Sequence, residues 1–172
     1  MTIFINEADP IIMFLLGSYI FLIGLLMGSF GSAIGYRVLI GDSWIVDFRS
    51  KDKPKPARSR CINCSTELKP LDLIPLFSWI ASQGKCRYCK APISWSYPLM
   101  ELFGGMLAIL FFSLAKISVE LLVFLITLPF FLALMWILLR KKSIQDNSSS
   151  SIPLYLSFLA FMNGATWVYI IL

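Results

Sequence analysis

The chain has 172 residues, of which 58% are hydrophobic and 15% aromatic, and its mean hydropathy is +0.77. A soluble fold of this length has too little interior to hide that much apolar surface, so the bilayer is the expected solvent. Formal net charge is +5, and no histidine is present, which excludes Ser-His-Asp and Cys-His catalysis and every histidine metal site.

Four apolar runs follow in chain order. The first extends from Pro10 to about Tyr36 without a charge until Arg37. It exceeds the roughly 20 apolar residues that cross a bilayer. Glu7 and Asp9 precede it in place of a basic region, so it reads as a retained anchor rather than a cleaved signal. The second run starts near Tyr97 and ends at Lys116, with Glu101 near its start and Gly104-Gly105 as an interruption. The third lies between Glu120 and the cluster Arg140-Lys141-Lys142 and contains Pro129, where a bend is expected. A polar Ser-rich strip, 143–151, reads as a flexible linker before the fourth run, Ile152–Leu172. The expected organisation is therefore an N-terminal segment and first span (1–36), a loop domain (37–97), a helical hairpin (98–139), a linker (140–151) and a last span (152–172). This is an all-α integral membrane protein of about four transmembrane helices.

Charge sets the orientation. Eleven of the fifteen Lys and Arg lie between Arg37 and Lys90. Basic loops favour the cytoplasmic side, which puts the 37–97 loop and the Arg140 cluster inside and both termini outside. Gly24/Gly28 and Gly31/Gly35 form two GxxxG pairs in the first span. Small residues at that spacing admit a second helix backbone, either another span of this chain or a second copy in self-association. Glycine is also simply common in membrane helices.

All four cysteines fall in the loop, as Cys61-Ile-Asn-Cys64 and Cys86-Arg-Tyr-Cys89, with 21 residues between the pairs. Two CxxC knuckles at this separation suit a tetrahedral site of four thiolates. Arg60, Lys85, Arg87 and Lys90 favour thiolate over thiol. A reducing cytoplasm argues against disulfides. Structural zinc in a ribbon-like loop is the expectation, with an iron–sulfur cluster as the alternative. The basic charge is explained by an anionic leaflet, and no aromatic stacking pattern accompanies it, so no nucleic acid partner is expected. Among the acids, Glu101 alone lies clearly within a span. It is a catalytic candidate by location, or equally a charge at a helix N-terminus. Asp146 lies in the linker, a poor place to hold a catalytic group.

Several motifs resemble type IV prepilin peptidases. They are Gly28-Ser29-Phe30 with Tyr36-Arg37, Ser59-Arg60-Cys61-x-x-Cys64, Ile74-Pro75-Leu76-Phe77-Ser78-Trp79, Gly84-Lys85-Cys86-Arg87-Tyr88-Cys89, Pro92-Ile93-Ser94, and Tyr97-Pro98-Leu99-x-Glu101-Leu102. The similarity runs from about Leu16 to Leu102 and covers the family's N-terminal portion. It implies the bacterial plasma membrane, a cytosolic zinc loop, and a link to type IV pili and type II secretion. The implied partners are membrane lipid, a prepilin or pseudopilin, and a partner peptidase. Methylation in the family uses S-adenosylmethionine, which makes Glu67, Asp72 and Glu101 candidates for a methyl-transfer site, against ordinary solvated loop charge for Glu67 and Asp72. In the family two aspartates cut the leader, one within GxGD. This chain has no GxGD, so the expectation is a family member that is not proteolytic alone: a degenerate peptidase that binds a pilin or a full peptidase without cutting, an enzyme completed by another polypeptide or acting only as a methyltransferase, or a zinc-ribbon scaffold or regulator.

Overall fold

The protein is described from a computed structural model, over residues 9–43, 45–47, 55–115 and 117–141. The expected fourth span, 152–172, and Asp146 lie outside these residues.

Three long helices form the body. Helix α1 spans Pro10–Leu39, α3 Ser96–Ala115 and α4 Val119–Lys141, with a short helix, α2 (Phe77–Ala81), in the loop between α1 and α3. All three long helices are long and apolar enough to cross a membrane. Helix α1 starts on Asp9, whose carboxylate accepts from the Ile11 N–H at 3.0 Å, with Pro10 at the first helical position, where its missing N–H costs nothing. It stops where Gly41 takes φ +73, a left-handed turn that glycine adopts without strain. At 30 residues it is about 45 Å long, so it outreaches a hydrocarbon core of about 30 Å. Ser118 opens α4 by accepting from the Leu121 N–H at 3.3 Å.

Helix α1 packs against both α3 and α4, which touch each other less. The core holds Ile34 of α1, Ala108 and Phe111 of α3, and Phe124, Leu128 and Leu132 of α4, with Phe111 and Phe124 stacked at 4.1 Å. On α4 the buried positions recur every three or four residues, while Leu122, Ile126 and Leu138 face outward. Apolar residues surround each helix, so hydrophobicity alone does not select the inward face; small residues do.

A Cβ on Gly24 would lie 2.6 Å from the Gly104 carbonyl, and one on Gly28 would lie 2.5 Å from the Met100 carbonyl and 2.7 Å from Glu101 Cα. Gly31 meets Pro129 and Leu132 of α4, and Gly35 meets Ala133 and Trp136. Both glycine pairs are thus filled by this chain's own α3 and α4. The surface required for self-association through Gly24, Gly28, Gly31 and Gly35 is already occupied, which corrects that expectation. The Gly104-Gly105 pair likewise does not interrupt the second span. It lies on the seam against Gly24, Gly28 and Phe21, inside an unbroken α3. Helix α4 also continues through Pro129.

Among its described residues, the loop contains little regular structure. A two-residue antiparallel pair joins β1 (Val46–Asp47) to β2 (Lys55–Pro56), and a 3-10 turn covers Pro70–Leu73. At the loop's end, Arg140 of α4 donates to the hydroxyls of Ser94 and Ser96 and lies 4.8 Å from the Trp136 ring centroid. The end of α4 and the start of α3 therefore share one side of the bundle.

Gly28→Val is expected to destabilise by about 1–3 kcal/mol or more, because the atoms it meets are backbone and cannot swing aside. Leu26→Ala, on the outward face, is expected to change stability little. Thermal unfolding in detergent distinguishes the two.

Candidate metal centre and its seating on the helices

The two CxxC segments fold as two copies of one knuckle. In the first, Cys61 N–H donates to the Thr66 carbonyl at 3.0 Å and Ser65 N–H to the Cys61 carbonyl at 2.9 Å. In the second, Cys86 N–H donates to the Ala91 carbonyl at 2.8 Å and Lys90 N–H to the Cys86 carbonyl at 2.9 Å. Antiparallel bridges close both, Arg60 with Glu67 and Lys85 with Pro92. The residue after each second cysteine is left-handed: Ser65 at φ 56 and Lys90 at φ 62. The chain must reverse there within one residue to bring both sulfurs to the same side. Neither position is glycine or asparagine, so composition gave no warning of the conformation.

The four Sγ atoms lie within 4.8 Å of one another, a cluster that could hold a metal ion. Cys61 and Cys89 Sγ are 3.8 Å apart, and Asn63 Nδ2 reaches Cys89 Sγ at 3.6 Å. Without metal, burial pushes the Cys61 thiol up to about 11. The other three thiols are held below the ordinary value. Cys64 is lowered first by the Thr66 hydroxyl, Cys86 by the backbone of Cys89, and Cys89 by the backbone of Ala91.

The segment between the knuckles is fixed by Asp72. Its carboxylate accepts from the Lys69 N–H at 3.0 Å, from the Tyr88 hydroxyl at 2.9 Å and from Arg87 Nε at 3.2 Å, and the side chain is 8% exposed. The Tyr88 hydroxyl is held above the ordinary phenol range by that bond. Asp72 is therefore not a solvated loop charge; it ties the 3-10 turn to the second knuckle. Glu67 is a half-exposed partner of Arg60 at 3.2 Å and of Arg58 at 4.0 Å. These contacts give Glu67 and Asp72 structural roles; Asp72 and Glu101 line the same cavity, while Glu67 does not.

Glu101 has a different task. It is buried in α3, and its Oε2 accepts from the Leu76 N–H at 2.7 Å, with the Ser29 hydroxyl of α1 as a second partner. Leu76 has φ 60 and ψ −50, and Phe77 N–H donates to the Pro75 carbonyl at 2.6 Å. This is a three-residue γ-turn with positive φ, a strained conformation for leucine. The carboxylate holds it in place. Helix α2 follows at once and ends where Gly84, at φ +67, leaves room for the Trp79 ring, which a Cβ would approach to 2.7 Å. Trp79 Nε1 then donates to the Ile93 carbonyl at 3.2 Å, tying α2 to the chain entering α3.

Between the knuckles and the ends of the helices lies a cavity of about 1280 Å³. Its wall includes Tyr36, Trp79, Tyr97, Glu101, Trp136 and Arg140.

Residues 22–115 match the family described as the Bacterial Peptidase A24 N-terminal domain. This chain belongs to that family. Among curated relatives, it is 34% identical over 106 residues to a prepilin leader peptidase/N-methyltransferase of Aeromonas hydrophila, covering 54% of this chain and 37% of the relative. It is 39% identical over 89 residues to the protein of that name from Myxococcus xanthus (52% and 24%), and 36% over 100 residues to that from Pseudomonas aeruginosa (51% and 34%). The chain thus spans between a quarter and about two fifths of the length of these relatives. No solved structure matches it. The family match ends at the C-terminus of α3, so it covers α3, the knuckles and most of α1, but not α4.

Glu101→Ala leaves the Leu76 N–H without an acceptor, at an expected cost of about 1–3 kcal/mol. Limited proteolysis should then cut faster within 74–80. Glu101→Gln keeps an acceptor oxygen and is expected to be milder. At the knuckle, Lys90→Gly should be tolerated while Lys90→Val costs roughly 1–2 kcal/mol, because a branched side chain resists positive φ.

Proposed function

We propose that this chain is a zinc-dependent membrane module of prepilin processing, acting on prepilins or pseudopilins of type IV pili or type II secretion, and that it does not cut the leader by itself. The names of its relatives supply the substrate class. The observation that carries the non-cutting reading is the bonding of Glu101. A water-activating pair needs two carboxylates that share one proton. Glu101 is the carboxylate buried within a membrane-length helix, and its partners are the Leu76 N–H and Ser29; Asp72, the other buried carboxylate among the described residues, is bonded to Lys69, Tyr88 and Arg87 instead. Glu101 acts as a structural anchor rather than half of a pair.

Zinc fits the donor set. Zn–S bonds of about 2.3 Å in a tetrahedron separate the sulfurs by about 3.8 Å, and Cys61 and Cys89 already stand at 3.8 Å. Cys61, Cys64, Cys86 and Cys89 would close the shell, so the metal folds the loop and does no chemistry. Basic residues favour the cytoplasmic face of the inner membrane for the loop, with the N-terminus outside. For a methyl donor such as S-adenosylmethionine, the cavity is large enough and offers the aromatic faces of Tyr36, Tyr97 and Trp79. It also offers the buried Trp136 Nε1, which has no partner among the described residues. When bound, the donor supplies a transferable methyl group. The chain's own part is to hold and orient it at the membrane surface.

The test is co-expression with a prepilin, read by mass analysis of the substrate N-terminus. An uncleaved leader is expected, and cleavage by the purified chain would overturn the non-cutting reading. For the metal, the expected stoichiometry is one zinc per chain, lost in Cys61→Ser or Cys86→Ser. The ligands bind deprotonated, so acid must release the ion. Four thiols must lose their protons together, so apparent affinity should fall as pH falls.

A further inference from the structure

The loop carries an apolar surface that neither the metal nor the cavity uses. From Pro70 to Gly84 there is no Lys or Arg, although the loop as a whole is strongly basic, and the one acid there, Asp72, is sealed against Arg87. Phe77 and Ile80, three apart on α2, are 64% and 66% exposed, and Leu71 on the 3-10 turn is 62% exposed. The opposite side of α2, with Ser78, Trp79 and Ser82, lines the cavity. The short helix is therefore two-faced, with its apolar face turned away from the protein.

We infer that this face, Leu71, Phe77 and Ile80 together with Trp95, inserts into the surface of the bilayer leaflet on the loop's side, so that the metal-binding loop rests on lipid. Two observations fix the occupant as lipid. The first is continuity. Trp95, Leu99, Leu102 and Met106 recur at four-, three- and four-residue intervals and are all exposed, which makes them one lipid-facing stripe of α3. Trp95, the residue before α3, tops that stripe and packs at 4.0 Å on Trp79, on the cavity side of α2, which sets the short helix beside the stripe with its Phe77–Ile80 face outward. The second is depth. The 20 residues of α3 measure about 30 Å, the whole thickness of the hydrocarbon core, so its first turn must lie at the core's edge. Leu76 is hydrogen-bonded to Glu101, five residues into α3 and so roughly 7 Å below its start. Helical side chains lean toward the N-terminus, so this bond to the carboxylate holds Phe77, next in sequence, between that level and the start of α3. Interfacial helices bury their apolar face about 5–10 Å into the headgroup boundary, and tryptophan favours the same zone.

The inference does not depend on the prepilin reading, and its test needs no prepilin. Photoreactive benzoylphenylalanine replaces Phe77 or Ile80 in the full chain, reconstituted in phosphatidylethanolamine/phosphatidylglycerol vesicles, with Arg58 as the control position. After irradiation, mass analysis should find lipid adducts several-fold more often at 77 and 80 than at 58. In the unlabelled chain, acyl-brominated lipid should quench tryptophan fluorescence, and Trp95→Phe should remove part of that quenching. Adducts at 77 and 80 mainly with a protein, whether a second copy or an added prepilin, would overturn the inference. Lipid adducts no more frequent than at 58, or quenching indifferent to Trp95, would do so too.

Discussion

The close approach of α1 to α3 at Gly28 is the constraint on which the rest depends. Because Gly28 has no side chain, the backbone of Met100 and Glu101 comes against α1. That approach puts the Glu101 carboxylate beside Ser29 and under the Leu76 N–H at once. An ionisable group is costly inside a membrane helix, and here Glu101 has hydrogen-bond partners on two other segments. It fixes the strained turn at Leu76, from which α2 and the intervening segment are hung. A glycine contact between two helices thereby sets the position of the loop that joins them.

Above that anchor the loop is built from a repeated unit. Each knuckle turns on a left-handed residue four positions after its first cysteine, and each is closed by a pair of backbone hydrogen bonds and a bridge. The repeat brings four sulfurs together, and among the described residues the hydrophobic core lies in the helices rather than around them. Asp72 compensates in part, since one buried carboxylate joins the 3-10 turn to Arg87 and Tyr88 of the second knuckle. Arg140 provides the other attachment by binding the two serines that precede and open α3. Knuckles, cavity and helix ends form one connected piece.

Much of this was legible in the residues. The Cys61/Cys64 and Cys86/Cys89 spacing announced the cluster, because only a tight turn sets two sulfurs on one edge of a tetrahedron. Unbroken apolar runs announced the three helices, because backbone polar groups cannot enter lipid unpaired. The role of Asp72 was not legible: an acid in a basic loop reads as solvated until the fold shows Tyr88 and Arg87 beside it. Gly104-Gly105 read as a weakness in α3, although its value lies in what it admits. The left-handed Ser65 and Lys90 carry no compositional signal.

The sequence by itself determined that the chain enters a membrane, that its charge gathers in one loop and that four thiolates in that loop can meet, since each follows from local composition or short spacing. Only the tertiary structure decided which helix the glycines of α1 receive, and that Glu101 binds a backbone N–H instead of a second carboxylate. Both depend on contacts between residues tens of positions apart. The distance from Gly28 to Met100, or from Leu76 to Glu101, is set by how three helices pack, and no local pattern in the chain encodes it.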